Sequence, residues 1–288
     1  MGSAGDRQAG DSGGRTATRG PWGVAAALVL AAAAAAVVLK LAWPAADAPP
    51  RSPPMPAVSE PPSAGQKPPA LPVEEPDRFT VLRRRMVDVQ IAAREITDER
   101  VLEVMRRVPR HLFVPESQRD SAYADWPLQI GEGQTISQPY IVALMTQLAR
   151  PKPESRALDV GTGSGYQAAV LAELCREVYS IEIVESLAAD AGRRLAELGY
   201  RNVEVRWGDG YRGWPEHAPF DVIILAAAPS RIPEPLVEQL APGGRLVLPV
   251  GGWSQELVVV EKQDDGTTRQ WSEIGVVFVP MTGEAQKR

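Results

Sequence analysis

Three glycines and three carboxylates stand at a spacing that can bind a nucleoside. Gly161, Gly163 and Gly165 alternate directly after the apolar residues Ala157, Leu158 and Val160, and Tyr166 to Leu174 has helical character. A strand that turns through glycines into a helix lets the backbone approach a ligand closely, with free N–H groups pointing at it. Asp159 stands two residues before Gly161, Glu182 stands 21 positions beyond it, and Asp209 ends the next apolar stretch. A carboxylate at the place of Glu182 accepts hydrogen bonds from both ribose hydroxyls. Asp209 comes within reach of an adenine amino group. One such carboxylate is readily a surface residue; three at successive strand ends point to an adenosine ligand.

The dinucleotide fingerprint needs a glycine where this chain has Tyr166. That glycine normally permits close helix packing beside a pyrophosphate, so Tyr166 argues against NAD. The Lys-Ser/Thr end of a phosphate-binding loop is also missing. A ligand without phosphates fits better, and S-adenosylmethionine is the common one.

Other chemistries find little support. Cys175 is the single cysteine and reads as a small core residue of an apolar helix. With two histidines, His111 and His217, a His/Cys zinc site is not expected, and no metal is assigned. Neither histidine has a nucleophile elbow to serve, because Gly163-Ser164-Gly165 lacks the required spacing. A second polar cluster, Gly131 to Tyr140, is dense in Gly, Gln, Thr and Ser between apolar flanks. Small polar residues on a supported loop can hold a substrate, which singles out Thr135 and Ser137. The competing use of either hydroxyl is to cap the helix expected over Tyr140 to Leu148.

Elements that position these residues follow from the pattern of the chain. After Arg156 strands alternate with helices: strands at 178–183, 203–207, 220–225, 245–249, 256–261 and 270–279, helices at 187–198 and 235–240. Gly199 closes the longer helix, and Asp265-Gly266 turns the last hairpin. This order predicts an α/β fold with a doubly wound, mostly parallel Rossmann-like sheet, and ligands at the carboxyl ends of its strands. Helices precede it: an amphipathic one over 78–91 with Arg83, Arg84 and Arg85 on a solvated basic face, and a second opened by Thr97 or Asp98 and ended by Pro109.

Composition bounds the rest. The chain has 288 residues, 44% hydrophobic and 23% charged, enough for a sizeable core. Its net charge of −5 argues against a dedicated nucleic-acid binder. Residues 1–23 read as a disordered tail. Residues 24–43 hold an uninterrupted run of Ala, Val and Leu that Lys40 breaks, preceded by Arg15 and Arg19. It is short for a span and rich in alanine, and three uses stand open: a signal-anchor helix, a cleaved signal peptide, or an extension that does not insert. Pro44 to Pro76 contains 12 prolines, so 44–77 is expected to be an extended linker. The globular domain is expected over 78–288.

Leu158 to Gly165 resembles the first motif of class I S-adenosylmethionine methyltransferases, and Leu240 to Val247 resembles their turn before a late strand. Gly133 to Tyr140 is more specific: it resembles the signature of protein-L-isoaspartate O-methyltransferases. So do Val108 to Val114, Gly208-Asp209-Gly210, Ala226 to Pro229 and Leu248 to Gly251. The resemblance runs from about Arg78 to Val279. It implies an enzyme that methylates the free α-carboxylate of isoaspartyl residues in damaged proteins and peptides. The ester then closes to a succinimide as the neighbouring backbone nitrogen attacks, and hydrolysis returns some normal aspartate.

By the same resemblance Ser137 is the active-site position. Gly161, Thr162, Gly163, Glu182, Asp209 and Gly210 hold the cofactor, and Asp159 supports the glycine turn or the methionine amine. Thr135, Ser137 and the segment Val277-Phe278-Val279-Pro280, with Val279 as its named contact, meet the peptide. A monomer in the cytoplasm is implied, while 24–43 offers the alternative of an inner-membrane anchor or export. The residues alone also admit a small-molecule or RNA acceptor for the same cofactor, or a non-catalytic adenosine-binding module.

Overall fold

The computed structural model describes residues 77–287. The expected tail 1–23, the apolar helix 24–43 and the Pro-rich linker through residue 76 lie outside the described residues. Among the described residues no helix is long and apolar enough to cross a membrane.

The first basic stretch starts as α1 (Arg78–Arg85), where Asp77 caps the helix by accepting from the Thr80 N–H at 2.7 Å. The single helix expected over 78–91 is not continuous: Met86–Ile91 forms a π-helical turn. The wider turn brings Met86, Val87 and Ile91 to one buried side, a grouping the α-period would spread apart. Arg84 and Arg85 are exposed as expected. Arg83 is half-buried and donates to the Arg106 carbonyl at 2.6 Å and the Tyr123 hydroxyl at 3.2 Å. α2 (Glu99–Arg107) is capped by Asp98 and buries Val101, Leu102, Val104 and Met105.

The stretch expected to be irregular contains a hairpin, β1 (Leu128–Gly131) against β2 (Gln134–Ile136). Its strands are too short for a two-residue alternation to show in sequence. Gly131, Glu132 and Gly133 all take positive φ, so the glycines serve the turn. α3 (Pro139–Ala149) follows at once.

The main sheet has the order β5-β4-β3-β6-β7-β8-β9. β3 (Arg156–Val160), β4 (Glu177–Glu182), β5 (Val203–Trp207), β6 (Phe220–Leu225) and β7 (Leu240–Gly251) run parallel. β8 (Gln255–Lys262) and β9 (Thr268–Val276) are antiparallel additions. The crossovers carry α4 (Tyr166–Ala172), α5 (Glu185–Glu197) and α6 (Glu234–Glu238). α4 stops before Cys175, which packs buried just beyond it; loss of water pushes its thiol up to about 12. α6 ends short of Leu240, because Leu240 already pairs with Phe220.

Alternate strand residues feed two cores. Ala157, Val222, Ile224 and Val247 face the core shared with α2, α3 and α4. Leu158, Val160, Ile223, Leu225 and Leu246 face the other, with Leu236, Trp214 and Met281. Because β4 and β5 lie on one side of β3 and β6 on the other, the chain reverses its winding between β3 and β6. That reversal opens a crevice at the carboxyl ends of these strands.

Candidate active site

The crevice is a cavity with about 940 Å³ of open space, solvent at its mouth included. Thr135, Ser137, Gly161, Thr162, Gly163, Glu182, Asp209, Gly210 and Val279 all line it. Residues separated by well over a hundred positions thus meet at one place, as the sequence reading expected.

The glycine turn is built by backbone geometry. Gly161 and Gly163 have φ of 91° and 51°. The N–H groups of Gly161 and Thr162 both donate to the Ile181 carbonyl, at 2.8 and 3.2 Å, which ties the turn to β4. Gly165, at φ 87°, is where α5 packs closely: a Cβ there would meet Leu195 Cδ1 at 3.2 Å. Gly165 therefore does the packing work that the dinucleotide fingerprint gives to the next position, which is why Tyr166 can be a large buried side chain. Gly210 also needs its missing Cβ, which would collide with Val160 Cγ1.

Glu182 is 5% exposed at the end of β4. One carboxylate oxygen accepts from the Gly163 N–H at 2.7 Å, the other from the Val184 N–H at 3.0 Å. Each oxygen keeps a second acceptor site for a ligand hydroxyl. Asp209 is held by Tyr211 N at 2.9 Å and Glu284 N at 2.7 Å, so the C-terminal turn Gly283–Lys287 docks on it. No sequence signal announced that contact.

Asp159 is the exception among the expected cofactor residues, for it does not line the cavity. It lies between Leu158 and Val160 in β3, so strand alternation turns it to the face opposite the Val160 side chain that does line the cavity. It is fully buried and accepts from Ser180 Oγ at 2.7 Å, and the Thr162 hydroxyl donates to Ser180 at 2.5 Å. This chain supports the glycine turn, one of its two expected roles. Burial raises the Asp159 carboxyl to about 7, against the lowering effect of Ser180.

At the other end of the cavity, Thr135 and Ser137 present hydroxyls that bond to no other side chain or backbone group among the described residues. They do not cap α3: its N-cap is Gln138, without a side-chain bond. Gln138 instead donates to the Asp125 carboxylate at 2.8 Å. Ser137 turns its carbonyl to Arg110, whose Nη2 donates at 2.7 Å. The remaining lining includes Gln134, Gln167, Val142, Met145, Met281 and Thr282, none singled out from sequence. The cavity wall holds no lysine, arginine or histidine.

These residues fit a nucleoside bearing a short polar arm. Glu182 can take ribose hydroxyls, Gly210 leaves a flat surface without a side chain, and the glycine turn admits the arm. The hydroxyl end suits a carboxylate that must stay reactive. Hydroxyl donors hold a carboxylate without the full neutralisation that a bidentate guanidinium gives.

Comparison with known proteins agrees. The family profile described as protein-L-isoaspartate(D-aspartate) O-methyltransferase matches residues 82–286. A protein-L-isoaspartate O-methyltransferase of Synechococcus is 54% identical over 235 residues, covering 76% of this chain and 95% of the relative. Protein-L-isoaspartate O-methyltransferase 2 of Syntrophobacter fumaroxidans is 60% identical over 188 residues, 65% of this chain and 76% of the relative. Among solved structures, one from Plasmodium falciparum, titled as a putative enzyme of this type in complex with S-adenosyl-L-homocysteine, superposes with TM-score 0.62 at 27% identity, covering 69% of this chain and 98% of that one. By its profile match and its close relatives, the chain belongs to the protein-L-isoaspartate O-methyltransferase family.

Proposed function

We propose that the protein transfers a methyl group from S-adenosylmethionine to the free α-carboxylate of L-isoaspartyl residues in proteins and peptides. The observation that carries this reading is the cavity itself, whose wall brings the glycine turn, Glu182 and Asp209 together with the two unengaged hydroxyls of Thr135 and Ser137. The cofactor supplies an electrophilic methyl group on a sulfonium when bound. Glu182, Gly161, Thr162, Gly163, Asp209 and Gly210 are the residues that would hold it. The acceptor carboxylate is ionised at neutral pH and needs no general base. Ser137 and Thr135 orient it by hydrogen bonds, and the apolar walls from Val142, Met145, Val160 and Val279 keep water out. Orientation and exclusion of water are the main contributions a protein can make to such a transfer. In an isoaspartyl residue the main chain runs through the side-chain carbon and the free α-carboxylate sits directly on Cα, whereas a normal aspartate carries its free carboxylate one methylene further out.

Incubation of the full chain with labelled S-adenosylmethionine and matched isoaspartyl and aspartyl peptides tests the reading. Label on the isoaspartyl peptide alone is expected, and equal labelling of both, or none, overturns it. The same family reading implies a monomer as the working unit. Because the methyl donor is made in the cytosol, the same reading places the catalytic domain on the cytoplasmic side. Digestion of a C-terminal tag by protease added outside a sealed plasma membrane would contradict that placement.

A further inference from the structure

Arg110 is fully buried and makes no ion pair with an Asp or Glu among the described residues. Its Nε donates to the Ala122 carbonyl at 2.7 Å and its Nη2 to the Ser137 carbonyl at 2.7 Å. Its guanidinium lies 4.9 Å from the centroid of the Tyr166 ring. Nη1 is buried with no hydrogen-bond partner. Buried charges are normally paired, because an isolated one loses its hydration without compensation. Here the loss is large enough to lower the group to about 10.

Two of the residues that Arg110 touches, Ser137 and Tyr166, form the cavity wall. The charge therefore stands one residue behind the hydroxyl end. The Asp and Glu side chains of the wall are Glu182 and Asp209, and no lysine, arginine or histidine stands among its described residues to offset them. Apart from the donor's own sulfonium, which is absent in S-adenosylhomocysteine, a carboxylate entering from water would meet an acidic cavity unless a positive charge stood near. A field is little damped in a water-poor interior, so a cation can act without contact. Distance is also useful chemically. A guanidinium forked onto the carboxylate would occupy the lone pairs that must attack the methyl group.

We propose that Arg110 is the buried countercharge for the acceptor carboxylate, a positioning residue that acts from behind Ser137 and Tyr166 without touching the substrate. The proposal rests on the acceptor reading given above. It assigns the attraction of the anion to Arg110 and its orientation to the Ser137 and Thr135 hydroxyls.

The test measures affinity, with S-adenosylhomocysteine present, for an isoaspartyl peptide and for the same peptide with its α-carboxylate converted to a carboxamide. Wild-type protein is expected to prefer the carboxylate. Arg110→Gln keeps hydrogen-bond donors but removes the charge, and should cut that preference about tenfold. Arg110→Lys returns the charge and should restore most of it. A preference retained in Arg110→Gln, whether both peptides bind as before or both weaken equally, or a lost preference not restored in Arg110→Lys, overturns the proposal. A second measurement needs no variant. A buried charge is poorly screened, so the wild-type preference should persist from about 0.05 M to about 1 M salt, and its collapse would overturn the proposal. A wild-type protein that labels no isoaspartyl peptide would instead sink the acceptor reading itself.

Discussion

Glu182 shows how one side chain can shape a site. Its two oxygens fasten Gly163 and Val184, the residues that follow β3 and β4. Both partners are N–H donors, so both oxygens must be acceptors. Glu182→Gln would turn an NH₂ group toward one of them and set two donors against each other. Loss of a hydrogen bond to a charged group costs about 1.5–3 kcal/mol. The KM for S-adenosylmethionine is therefore expected to rise about ten- to hundredfold, with the peptide KM changed much less. Initial rates with each substrate varied in turn check this, and an unchanged cofactor KM would remove Glu182 from the site. The position of Glu182 was readable in the sequence, because it ends an apolar run at the spacing a ribose acceptor needs. Its hold on Gly163 was not, since that contact requires β3 and β4 to be paired.

Among the elements, the wall formed by residues 277–281 depends on a side chain from the neighbouring strand. The β8–β9 ladder ends where Gln255 pairs with Val276. Beyond that point the Gln255 amide replaces the missing strand: its Oε1 accepts from Phe278 N at 2.6 Å and its Nε2 donates to the Phe278 carbonyl at 3.1 Å. On the other edge, Ala228 N donates to the Val279 carbonyl at 2.8 Å, and Met281 N donates to the Ala228 carbonyl at 2.8 Å. Val279 and Met281 then stand in the cavity wall. Gln255→Leu removes one of these two anchors while keeping much of the side-chain volume. The peptide KM should rise roughly tenfold, as expected for two lost hydrogen bonds of ordinary strength, with the cofactor KM unchanged. Steady-state kinetics with a fixed, saturating cofactor would show it, and a rise in the cofactor KM alone would contradict it. The late strand and the Val279 position were legible as an apolar stretch after the Asp265-Gly266 turn. The clamp was not, because a glutamine in a strand carries no mark of what it bonds to.

For the molecule as a whole, Asp159 links the site to stability. Its carboxyl titrates near 7 in the folded chain and at the ordinary 3.8 when exposed, chiefly through burial. Between these values the folded state holds a proton that the unfolded state has released. Stability should therefore fall by a few kcal/mol, to an order of magnitude, as pH rises from about 4 to about 7, and level off above. Asp159→Asn is expected to flatten that slope, measured by denaturant unfolding at a series of pH values; equal slopes in both proteins would contradict it. Sequence alone determined the doubly wound sheet and the glycine corner with its strand-end carboxylates, while a carboxylate acceptor was expected only from the family resemblance. The sheet and the corner rest on local pattern: apolar alternation, glycines at a turn, and carboxylates at strand ends. Only the tertiary structure decided which way Asp159 points, that the Thr135–Ser137 segment leaves a hairpin, and that Arg110 stands buried behind Ser137. Each of these depends on strand parity or on contacts between distant segments, and such contacts are set by how the whole chain packs rather than by any stretch of it.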